Sequence, residues 1–219
     1  LLITIINYSY PIIYLGEAEK HQRPQLSQIV ASFKAKLGRI IIFGLLFLVT
    51  FVPIAIVIAL FSMLMIVIII GIPVALILFA AFSCWTYLSF YDFLNTDNGY
   101  FTSMKKGWFM LFQNFWNHTG STAIFYIIIY VVQGILILIP YMISIFMMIS
   151  NTQDAAGGRE NLSVAGVLML ISFILYIILA FFLANILMIN QGMIYYSCRE
   201  KKENQSMHNS IDLIGTDFE

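Results

Sequence analysis

Side chains that could do chemistry are few in this sequence, and their spacing favours packing over catalysis. His118 lies near Ser121 with Asp97 upstream, so a Ser-His-Asp triad can be drawn. No nucleophile elbow surrounds that serine, and the triad is set aside. His21, His118 and His208 fall in three separate segments without metal-ligand spacing, Cys84 sits inside an apolar run, and Cys198 precedes a basic tail. A zinc site and a disulfide are therefore not expected. No glycine-rich phosphate loop is present, so no cofactor is expected either. Three amides, Gln133, Asn185 and Asn190, lie inside apolar stretches. An amide in hydrocarbon must find a partner, and an interhelical bond there contributes about 0.6–2 kcal/mol. They read first as interhelical contacts and second as the lining of an uncharged polar path. Ionisable groups at bilayer depth are the usual mark of a proton or ion path. None stands at the centre of an apolar run, and Asp92 is expected at a helix end where it reaches water. These residues argue against an enzyme and against an ion-coupled transporter.

The elements that hold these residues follow from composition. Of 219 residues, 61% are hydrophobic and 10% charged, whereas a soluble domain has about 25% charged residues. Eleven basic residues balance eleven acidic ones, which leaves no net field for nucleic acid. Disorder is excluded by the same hydrophobicity. The solvent is lipid. Windows 1–16, 40–91, 107–153 and 161–198 contain no Asp, Glu, Lys or Arg. A hydrocarbon core about 30 Å thick takes about 20 helical residues to cross. Window 40–91 would run roughly 78 Å as one helix, so it must reverse, best at Gly71-Ile72-Pro73. Expected crossings are about 1–15, 40–66, 73–94, 121–149 and 164–190, with Pro53 a kink. Runs such as Ile66-Val67-Ile68-Ile69-Ile70 lack the alternation of a membrane β-strand. The reading is an all-α polytopic transmembrane bundle, one domain over 1–196 with a tail at 197–219. The chain does not begin with Met, so residues upstream are expected, and no basic segment marks the first apolar run as a signal peptide.

Orientation comes from the cations. Ten of the eleven basic residues fall in 16–39, 95–120 and 197–219, and only Arg159 lies opposite. Lys and Arg stay on the cytoplasmic side, which puts the C-terminus inside and fits a bacterial inner membrane. Two segments are expected to lie along the membrane surface: 24–38, with Leu26, Ile29, Val30, Phe33 and Leu37 at helical spacing, and 99–116, with Phe101, Met104, Trp108, Leu111, Phe112 and Phe115. Phe33, Lys105, Lys106, Trp108 and Trp116 are the candidate contacts to headgroups or to a protein partner. Segments 24–98 and 99–203 form a weak repeat of surface helix, outward crossing and return. Small residues four apart, Ala55 with Ala59, Ala80 with Cys84 and Ala180 with Ala184, are candidate close approaches. The expected role is a non-enzymatic scaffold or subunit of a membrane assembly. A transporter or lipid-handling protein is the alternative.

The stretch Asp97-Asn98-Gly99-Tyr100-Phe101-Thr102-Ser103-Met104-Lys105-Lys106-Gly107-Trp108, followed by Gln113-Asn114-Phe115-Trp116, resembles an element of bacterial polytopic membrane proteins of unknown function. Those families are similar to the membrane domain of some glycerophosphodiester phosphodiesterases. The resemblance implies about six crossings in the full protein, hence one before Leu1. It carries over no catalytic residue, because the phosphodiesterase chemistry belongs to a separate soluble domain.

Overall fold

The computed structural model describes residues 2–20, 24–66, 71–150 and 157–216. They form six helices: α1 (Leu2–Lys20), α2 (Leu26–Ile66), α3 (Gly71–Asn95), α4 (Tyr100–Gln113), α5 (Phe115–Ser150) and α6 (Gly157–Thr216). Among the described residues there is no strand. Among the same residues four stretches are long and apolar enough to cross a membrane, Leu26–Phe61, Pro73–Asn95, Phe115–Ile143 and Gly166–Asn204. Hydrocarbon offers the backbone no hydrogen-bond partner, so an apolar run satisfies its own amides by coiling. The all-α, multi-pass reading of the sequence holds at this level.

Several boundaries differ from those expected. The expected first crossing coincides with α1, which is helical but not one of the four, as its polar Asn7-Tyr8-Ser9-Tyr10 centre and its Glu17, Glu19 and Lys20 end lower its hydropathy. Segment 24–38 is no separate surface helix: α2 runs unbroken from Leu26 through Arg39 to Ile66, with Pro53 inside it. A glycine such as Gly38 costs a helix about 1 kcal/mol, less than leaving backbone groups unpaired. Segment 99–116 does break, at Asn114, whose φ of −145° and ψ of 62° end α4 and hand Phe115 and Trp116 to α5. The proposed repeat is therefore unequal, since only its second half has a distinct short helix. Helix α6 continues through the expected tail as far as Thr216. Gly71-Ile72-Pro73, the expected reversal, instead form the first turn of α3, with Pro73 suited to that place, while residues 67–70 and 151–156, His21 and Arg23 lie outside the described residues.

Contacts divide the chain into two compact units, 1–123 with 187–219, and 124–186. The first has an aromatic core. Phe43 stacks on Phe90 with centroids 4.4 Å apart, Phe47 stacks on Phe51 at 3.9 Å, and Tyr91 stacks on Tyr195 at 5.5 Å. Lipid tails are as apolar as leucine, so apolar burial alone does not bring helices together there; close packing and polar bonds do. Glycines supply the close packing. A Cβ at Gly107 of α4 would overlap the Ser89 side chain and stand 2.8 Å from the Ser89 backbone nitrogen of α3. One at Gly192 of α6 would collide with Leu15 of α1 and with the Tyr91 hydroxyl of α3. Of the expected small-residue pairs, Ala80 and Cys84 are fully buried, Ala180 and Ala184 are half-buried, and Ala55 and Ala59 are exposed. In the second unit Tyr126 is the one buried residue among the described side chains.

Candidate functional site

The greatest density of polar bonds lies around the C-terminal end of α3. Helix α3 ends with carbonyls that no further turn can satisfy. Arg39 of α2 reaches one of them and the turn beyond: its Nη2 donates to Phe93 O at 2.5 Å and, past the helix end, to Thr96 O at 2.8 Å and Asn98 O at 3.0 Å. The guanidinium lies 4.5 Å from the Phe93 ring centroid, and its Nη1 is 3.8 Å from the exposed Asp97 carboxylate. A cation at this end also opposes the negative pole of the helix dipole. Arg39 thus works as a fork that holds the turn 96–98, a task for which lysine lacks the geometry.

Asp92 is 2% exposed and does not reach water, contrary to the expectation from its place near the helix end. The reason is α4, which folds back over α3 and covers it. Asn98 Nδ2 donates to Asp92 Oδ2 at 2.8 Å, and Lys106 Nζ of α4 lies 3.8 Å from Oδ1. Trp85 Nε1 of α3 donates to Met104 O of α4 at 2.9 Å, and the Tyr100 and Thr50 hydroxyls are bonded at 2.6 Å. Around the same end, Ser32 and Lys20 donate to the buried Glu17 carboxylate at 2.8 and 3.1 Å. Asn95 accepts from Lys36 Nζ at 3.5 Å and donates to the Tyr196 hydroxyl at 3.3 Å. Every helix from α1 to α4, with α6, contributes to this interlock.

A second polar group joins the start of α5 to α6. Ser121 Oγ donates to Asn190 Oδ1 at 3.2 Å, and the fully buried Gln191 donates through Nε2 to Thr122 Oγ1 at 2.8 Å. Cys198 Sγ lies 3.8 Å from His118 Nε2. Gln191 Oε1, Thr119 Oγ1 and Asn190 Nδ2 are buried without a protein partner. Both cysteines are free and buried. Among the described residues no group of three His, Cys, Asp or Glu side chains could hold a metal ion. A cleft of about 420 Å³ lined by Glu19, Tyr196, Arg199, Glu200 and Glu203 opens beside α1 and α6, but Arg199 already bridges Glu19 at 3.0 Å and Glu203 at 2.9 Å.

The residues singled out from sequence scatter over the fold. Asn190 joins the second polar group. Asn185 Nδ2 donates to Phe181 O within its own helix at 2.9 Å, and Gln133 is half-buried on α5, both in residues 124–186. Phe33 packs against the aromatic core, Lys105 is exposed, Lys106 reaches Asp92, Trp108 meets Trp85 edge-on at 5.3 Å, and Trp116 is exposed. Sequence reading missed Arg39 and Gln191 as site residues. A signal existed for both, an arginine immediately before a long apolar run and a polar side chain beside Asn190, but neither names its partner. No known protein family, curated protein or solved structure matches the chain.

Proposed function

We propose that this chain is a non-enzymatic membrane protein that serves as a scaffold or subunit of a membrane assembly. One observation supports it above others: residues 124–186 carry parts of two long apolar helical stretches, and among their described side chains Tyr126 is the one buried residue. Such faces suit the helices of another protein, and the half-buried amides of Gln133 and Asn185 are of the kind that bond across helices. On this reading α1 is a fifth crossing, the basic ends face the cytoplasm of a bacterium with the C-terminus inside, and the likeness to phosphodiesterase membrane domains reflects a shared accessory role. Extraction in native lipid discs followed by cross-linking from Gln133→Cys and Asn185→Cys is expected to trap one reproducible partner. A monodisperse monomer without cross-links would overturn the proposal.

The unpartnered polar atoms of Gln191, Thr119 and Asn190 favour a second reading, an uncharged path for a polar or lipid solute. Replacing Thr119 by valine and Asn190 by leucine together should then abolish activity and leave the fold intact. An unchanged cellular phenotype would remove it.

A further inference from the structure

Helix α4 is the most amphipathic of the six, and its surface divides into three sectors where two were expected from sequence. At about 100° per residue, the buried Tyr100, Ser103, Met104, Gly107 and Leu111 fall within about 60° of one direction, the side packed on α3. Phe101, Trp108 and Phe112 cluster roughly 80–120° round from it and are 73%, 47% and 50% exposed. Thr102, Lys106 and Gln113 lie roughly 200–240° round. Phe109, 59% exposed, stands roughly 180° round, so the exposed Lys105 falls inside the outward aromatic arc. The stripe read from sequence therefore splits, with Met104 and Leu111 turned inward and Phe101, Trp108 and Phe112 outward.

We propose that the outward aromatic sector of α4 is a lipid-binding surface, seated in the acyl-chain boundary of one leaflet, with Lys105 on the phosphate of an anionic phospholipid. Three features select lipid over a soluble partner. Membrane-capable stretches end at Asn95 and begin at Phe115, so four residues on one side and one on the other tie α4 to the ends of two such stretches. Aromatic rings beside a lysine, on a helix far less apolar than α2, α3 or α5, suit the interface plane more than the bilayer centre. The third sector, with Thr102 and Gln113, supplies the face that stays wet.

The test uses the full chain in vesicles of phosphatidylcholine with or without phosphatidylglycerol. Trp85→Phe with Trp116→Phe leaves Trp108 as the one tryptophan. Its emission is expected to be quenched by a nitroxide near the top of the acyl chains, and little by aqueous iodide or by a nitroxide near the chain ends. Dominance of iodide, meaning a water- or protein-facing surface, or of the deep nitroxide, would overturn the proposal. Should Trp85→Phe not fold, the difference between the natural chain and Trp108→Phe reads the same site. Lys105→Gln is expected to lower the preference for phosphatidylglycerol about fivefold; an unchanged preference overturns the phosphate contact.

Discussion

The two units solve one problem in different ways. Residues 1–123 with 187–219 combine close glycine approaches, stacked aromatics and polar bonds between helices far apart in sequence. Residues 124–186 have comparable hydropathy and helix length, yet one buried residue among their described side chains. Apolarity alone thus puts a helix in lipid without joining it to a neighbour, as expected where the solvent is itself apolar. What distinguishes the first unit is a small set of glycines and hydrogen-bonding groups.

Substitutions at those positions should break the contrast in graded steps. The largest effect is expected for Gly107→Leu, because the nearest atoms include the Ser89 backbone, which cannot swing aside. It should cost about 3 kcal/mol or more, read as loss of the folded band after unfolding titration in detergent. Arg39→Leu comes next: three carbonyls lose their donor and the helix end loses its cation. A loss of about 2–4 kcal/mol is expected, with Arg39→Lys restoring only part. Gln191→Leu removes one bond to Thr122 and should cost about 1 kcal/mol by the same titration. The smallest effect belongs to Gly134→Leu in the second unit, where a new side chain meets open space. Stability of the isolated chain should change by less than about 0.5 kcal/mol. If the same substitution abolishes partner cross-linking, the exposed face is where the assembly forms.

Much of the fold was legible in the residues, and the reasons it was not legible everywhere are specific. Apolar length announced α2, α3, α5 and α6, because hydrocarbon leaves the backbone no other choice. The break at Asn114 and the continuity through Gly38 were not legible: both are marginal local preferences, and in α2 the helix carries Arg39 to the end of α3, where its charge is satisfied. Asp92 looked like a solvated helix end because nothing in its neighbours reports that α4 folds over it. The amides Gln133 and Asn185 drew attention by their chemistry, whereas Gln191, which is fully buried against Thr122, did not stand out from the adjacent Asn190.

By itself the order of residues determined the solvent, the helical class and the approximate stretches able to cross, since each depends on a local sum of transfer free energies. Only the tertiary structure decided that Arg39 meets the end of α3, that Gly107 lies on Ser89, and that α4 turns one aromatic sector outward. Those pairings join positions tens of residues apart through contacts a few ångströms long, and no local sum contains them.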